Sequence, residues 1–188
     1  MEQIKDLKSL QELSSKEKIK YVFFWGHKAR ADGQLTKSCF SQWWPARFET
    51  NGITYATAEH YMMAEKARLF KDDEVLEKIL STGSPAQAKK LGRMVKNFDP
   101  KIWDQHRSEI VTQASVAKFS QDDQLKNFLL NTGNKVLVEA SPMDCIWGIG
   151  MSERHDHAYN PLQWRGLNLL GFALMEARRR IVENEGKN

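Results

Sequence analysis

A chain of 188 residues, 41% hydrophobic and with six Trp and nine Phe, can bury one sizeable core. No run of about 18 or more apolar residues occurs, which excludes a membrane-spanning helix, and the charged stretch from Met1 to Ser15 lacks the apolar segment of a secretory signal. The net charge of +4 favours an anionic partner, a phosphate-bearing metabolite or nucleic acid.

Ile4, Leu7, Leu10 and Leu13, set among charges, predict a weak amphipathic helix within residues 2–20. Tyr21-Val22-Phe23-Phe24-Trp25 reads as a strand, and residues 26–38 as a polar, basic loop. Phe40-Ser41-Gln42-Trp43-Trp44-Pro45 follows, rich in rings that suit either core packing or stacking on a planar ligand. Residues 47–50 and 53–56 alternate around Asn51-Gly52, the pair that supplies the positive φ of a tight hairpin turn. Helices are expected over residues 57–70, 73–80, 85–95, 99–118, 122–130 and 167–182. Ser84-Pro85 marks one start, and Thr82-Gly83 and residues 131–134 mark stops. Residues 135–140 alternate and read as a strand, and residues 143–168 read as a loop punctuated by glycine and proline. The run Arg178-Arg179-Arg180 is expected to be a solvated helix end.

The helix opened by Thr57 carries the chemistry. At about 100° per residue, Glu59, Met63, Lys66 and Phe70 share one narrow stripe. A face that turns inward with two ionisable groups must pair them with each other or hold them for a ligand. A structural ion pair is one reading and an active site on a rigid helix is the other. Lys89, Lys90 and Arg93, near a helix N-terminus, could hold a phosphate or lie on a solvated face. Trp147-Gly148-Ile149-Gly150 would let backbone approach a ligand under an indole, but it lacks the third glycine of a dinucleotide fingerprint. His155-Asp156-His157 has no third partner nearby, and no metal site is expected. Cys39 and Cys145, far apart and without metal-ligand spacing, are expected to be free thiols in a reducing cytoplasm.

Several blocks resemble the NADAR (YbiA-like) family, in the family's order. They are Phe23-Phe24-Trp25, Phe40-Ser41-Gln42-Trp43 with Pro45, Thr57-Ala58-Glu59-His60-Tyr61 through Ala64-Glu65-Lys66, and Ser84-Pro85 with Gly92-Arg93. Trp103 with Arg107, Ala117-Lys118-Phe119, Trp147-Gly148-Ile149-Gly150, Trp164-x-Gly166-x-Asn168-x-Leu170-Gly171 and Leu174-Met175 continue the series. Some members carry an acid where this chain has Ile149, so no acid is assigned there. The resemblance covers residues 21–181 and leaves 1–20 as an N-terminal helical extension to a domain over 21–188.

This resemblance implies an α+β, mainly helical fold: a single compact domain with a few short strands including one hairpin. It also implies N-glycosidase chemistry on the bond between a ribose anomeric carbon and an amine, without a cofactor. The substrates implied are phosphoribosylamino-pyrimidine intermediates of riboflavin biosynthesis or, alternatively, ADP-ribose on guanine bases of nucleotides or nucleic acid. A binding module for ADP-ribose that does not cleave it is a further alternative. Such cleavage builds positive charge at the anomeric carbon and calls for a carboxylate and help for the leaving group. Glu59 would supply the carboxylate, and Lys66 would act as general acid or as a Schiff-base nucleophile. Trp43 and Trp147 would stack on the base. Gly148, Gly150, Lys90, Arg93 and Asn168 complete the expected binding set.

Overall fold

The computed structural model describes residues 4–186; residues 1–3 of the expected extension and 187–188 of the expected domain lie outside it. Two short strands anchor the molecule. β1 (Tyr21–Phe24) and β4 (Val136–Glu139) pair in parallel, Tyr21 opposite Val136 and Phe24 opposite Glu139. Successive side chains on a strand point to opposite faces. Phe24 and Leu137 therefore enter the larger core, while Phe23, Val136 and Val138 enter a smaller one with Ile149, Met151 and Trp164. Side-chain alternation thus makes this small sheet a wall between two apolar compartments.

The hairpin forms as expected: β2 (Phe48–Thr50) runs antiparallel to β3 (Ile53–Tyr55), and Asn51 and Gly52 both take positive φ. It delivers the chain into α2 (Ala58–Leu69), whose N-cap is Thr57. All of residues 58–64 are buried, so the first two turns are surrounded rather than merely striped. The helix packs against α3 (Asp73–Ser81), α4 (Pro85–Gly92) and α5 (Pro100–Ser120). α6 (Asp123–Leu130) and α7 (Leu169–Glu185) complete the helical layer, α7 lying along both α5 and β4.

Among the described residues, seven α-helices thus surround two two-stranded sheets, a mainly helical α+β domain. No helix there is long and apolar enough to cross a membrane. The amphipathic segment near the N-terminus narrows to α1 (Leu7–Ser14), capped by Asp6 and seated through Leu10 in the smaller core.

Two helices differ from the expectation in ways that matter here. α4 ends at Gly92, because the chain turns there: Met94 goes outward, Val95 packs into the larger core and the Lys96 N–H donates to Asp72. α7 begins at Leu169, after Asn168 in the left-handed region, and runs on to Glu185. Arg178, Arg179 and Arg180 therefore lie within the helix and are not a solvated end. Arg178 donates to the Thr132 hydroxyl and the Lys135 carbonyl, Arg179 pairs with Glu176, and Arg180 pairs with Glu109 and Glu176.

Candidate active site

A cavity of about 550 Å3 opens beside α2, within the usual range for small-molecule sites. Glu59, Met62, Met63 and Lys66 supply its α2 wall, and Trp25, Trp43, Trp103 and Trp147 bring indoles from four other segments. The aromatic segment is tied directly to the helix, because the Glu59 N–H, an otherwise orphaned donor of the first turn, donates to the Gln42 carbonyl at 3.0 Å. Gln42 and Trp43 are thereby fixed against the carboxylate.

Glu59 is only 4% exposed, and its Oε1 has no hydrogen-bond partner. Burial pushes its carboxyl up to about 7, with Asp144 adding to the rise. Lys89, the Trp43 side chain and Arg93 pull the other way. The ion pair expected with Lys66 does not form. The Lys66 ammonium lies 4.2 Å from the Phe98 ring centroid and 5.6 Å from that of Trp103. Burial, aided by Arg93, lowers the lysine's pKa. An acid that holds its proton more tightly and an amine that loses it more readily thus face one cavity.

Of the residues expected from sequence, the cavity brings together Glu59, Lys66, Trp43, Trp147 and Arg93. It does not include Lys90, Gly148, Gly150 or Asn168. Lys90 is exposed, because residues four apart share a helix face and Arg93 is therefore partnered by Lys89. Lys89 lines the cavity, its Nζ 5.9 Å from the Trp43 ring. Gly148 and Gly150 are buried among loop backbone instead of facing a ligand. A Cβ on Gly148 would meet the Glu139 carbonyl at 2.8 Å, and one on Gly150 the Cys145 Sγ at 2.8 Å. Asn168 is fully buried and bonded to β4.

Sequence reasoning missed Glu139 and Asp144. Glu139 closes β4 and reaches the cavity wall; its Oε2 is buried without a partner. Burial, reinforced by Asp144 and Glu59, pushes its carboxyl up to about 8, with Lys89 opposing. The signal was present: a strand reading Val-Leu-Val-Glu with both faces apolar must bury whichever face the glutamate occupies. Asp144 accepts backbone N–H bonds from Ile146 at 2.8 Å and Trp147 at 2.7 Å, which sets the indole in the wall. His155 and His157 stand away from the cavity with ring centroids 5.4 Å apart. Among the described residues no group of three or more His, Cys, Asp or Glu could hold a metal ion.

The profile of the NADAR domain matches residues 23–182. N-glycosidase R617 of Acanthamoeba polyphaga mimivirus is 46% identical over 167 residues, spanning 86% of this chain and 96% of that protein. N-glycosidase YbiA of Escherichia coli (strain K12) is 33% identical over 139 residues, 74% of this chain and 77% of YbiA. The NMR structure of the E. coli protein YbiA superposes with a TM-score of 0.68 at 27% identity, covering 90% of each chain. With the aromatic segment, the Glu59 helix and the Trp147 loop all inside the matched region, the chain belongs to the NADAR family.

Proposed function

We propose that this hydrolase of N-glycosyl bonds acts on a phosphorylated ribosylamine, a phosphoribosylamino-pyrimidine of the riboflavin pathway. The observation that carries the reading is the Glu59 carboxylate, buried with an unpartnered oxygen in an indole-walled cavity beside the cations Lys89 and Arg93. Trp43 and Trp147 offer apolar faces to the planar base. Lys89 in the last turn of α4 and Arg93 at its C-cap offer paired positive charge to the phosphate. Glu59 faces the charge that develops at the anomeric carbon and accepts a proton from the attacking group. Lys66, a desolvated amine, attacks that carbon and carries the ring-opened sugar as a Schiff base until water releases it. The free thiols Cys39 and Cys145 suit a cytoplasmic setting.

A second substrate reading, ADP-ribose on guanine, draws on the rim of the same cavity. Trp25 is 62% exposed and Met143 91% exposed there, apolar surface on which a second nucleoside would rest outside the cavity.

One experiment tests the proposal. The protein is incubated separately with the phosphoribosylamino-pyrimidine and with an ADP-ribosylated guanine oligonucleotide, while free base and reducing sugar are followed. Turnover of the pyrimidine, lost in Glu59→Gln, is expected. Release from the oligonucleotide alone would move the assignment to the second substrate, and unchanged turnover in Glu59→Gln would remove that carboxylate from the chemistry.

A further inference from the structure

We propose that Glu139 is a further catalytic residue of this site, the group that protonates the departing amine. The inference rests on the N-glycosidase reading above and adds to it the acid that reading leaves unassigned.

The backbone holds Glu139 from several sides. Its N–H donates to Asn168 Oδ1 at 3.0 Å, its carbonyl accepts from the Ile149 N–H at 3.0 Å, and the next N–H, Ala140, donates to the Phe24 carbonyl at 2.9 Å. Strand alternation sends Val136 and Val138 to the smaller core and Glu139 the other way, to the cavity. Glu139 lines that cavity, and its Oε2 is buried without a hydrogen-bond partner. A buried polar atom left so calls for an explanation, and on the wall of a cavity that also holds Glu59 a catalytic role supplies one.

Titratable and charged groups line the cavity around Glu139 from four places: Glu59 and Lys66 on α2, Lys89 on α4 with Arg93 as its C-cap, Asp144 in the loop after β4, and His27 in the loop after β1. The cations are shared unequally. Lys89, Arg93 and the Trp43 side chain all favour ionised Glu59, whereas only Lys89 favours ionised Glu139. Burial, with Asp144 and Glu59 alongside, favours the protonated form of Glu139, while the charges of Lys89 and Arg93 favour the ionised form of Glu59.

The step balances without a further reactant. As the bond from the anomeric carbon to nitrogen breaks, its electron pair stays on nitrogen and the Glu139 proton moves there. The amine leaves neutral, and Glu139 is left as a carboxylate. Water that later adds at the anomeric carbon returns a proton to Glu139. One water is consumed per turnover, a hydrogen ending on the amine and a hydroxyl on the sugar.

The test compares wild type with Glu139→Gln, a near-isostere of the protonated acid whose fold is checked by circular dichroism. Two substrates are used: the phosphoribosylamino-pyrimidine, and 4-nitrophenyl riboside 5-phosphate, whose phenolate leaves without a proton. A loss of roughly 100-fold or more on the amine, with turnover of the nitrophenyl substrate kept within about tenfold, is expected. A pH profile on the amine gives a second readout: the alkaline limb of wild-type kcat/KM should vanish in Glu139→Gln. Equal losses on both substrates, no loss on the amine, or an alkaline limb that persists would overturn the assignment. Wild-type protein inactive on every ribosylamine would instead overturn the proposed function on which the assignment stands.

Discussion

The carboxamide of Asn168 completes the open edge of β4 beside Glu139, its Oδ1 accepting from the Glu139 N–H at 3.0 Å and its Nδ2 donating to the Leu137 carbonyl at 2.9 Å. One side chain thus replaces a stretch of neighbouring strand, and it does so from a left-handed backbone at φ 54 that Asn tolerates better than most residues. Gly171 makes room for it, since a Cβ there would lie 2.0 Å from the Leu137 carbonyl.

Asn168→Ala should therefore lower stability by about 2–4 kcal/mol, from two lost buried hydrogen bonds and a strained φ. Asn168→Asp keeps the acceptor but sets a carboxylate against the Leu137 carbonyl, and should recover part of the loss only in acid. Urea unfolding midpoints at neutral and acidic pH check both variants. A binding role alone, as first expected of this residue, would leave those midpoints near wild type.

What the sequence made legible was local. Asn51-Gly52, Thr57, Ser84-Pro85 and Asp99-Pro100 specify their turn and helix starts through their own backbone preferences, and the structure places all of them as expected. Glu59 and Lys66 could be placed on one face because a helix repeats. The pairing of β1 with β4 could not, since strands more than a hundred residues apart meet only after the helices pack. The placement of Glu139 and Asn168 depends on that pairing, so the sequence could not show that the one reaches the cavity and the other bonds to β4. Gly148 and Gly150 carried a real signal, a need for close backbone approach, but the approaching group is the protein's own loop.

Glu139 should make the protein less stable at neutral pH than a neutral isostere would. Its folded value is raised from 4.5 to about 8, so between those values the native state holds a proton that the unfolded chain has lost. Rising pH then favours unfolding, by at most about 1.4 kcal/mol per unit for one such group. Glu139→Gln lacks this dependence. It should unfold several degrees above wild type at pH 8, a gain of about 1–3 kcal/mol, with the gap closing near pH 5. Scanning calorimetry across that range checks it, and a gap that is constant with pH would contradict the buried-acid account.

Lys118 should show the opposite sign. It is 2% exposed, and its Nζ donates to the Cys39 carbonyl at 2.6 Å and the Ser41 carbonyl at 2.9 Å. Burial lowers its pKa from 10.5 to about 7. Between those values the unfolded chain binds a proton that the native state does not, so wild-type stability gains from rising pH. Lys118→Met leaves two carbonyls unpaired, and should cost about 1–3 kcal/mol at pH 9 and less near pH 6. Ser41 and Gln42 line the cavity beside Glu59, so kcat/KM should fall as well. Thermal unfolding and kinetics on the same preparations separate the two effects.

Lys66 should be the residue that borohydride traps. Its amine lies over Phe98 and near Trp103, where burial and the charge of Arg93 both favour the neutral form that attacks carbon. Substrate plus borohydride should convert the transient imine into a stable secondary amine, which peptide mapping should place on Lys66. The trapping rate should rise with pH and level off below the range of an ordinary lysine, because its pKa is lowered. Lys66→Met should give no adduct, and Lys66→Arg none either, since a guanidinium keeps its charge and cannot form the imine. An adduct mapped to Lys89 instead would shift the nucleophile to α4 while leaving Glu59 in place. No adduct on any lysine, in wild-type protein that turns substrate over, would leave direct attack of water as the route and reduce Lys66 to holding the sugar.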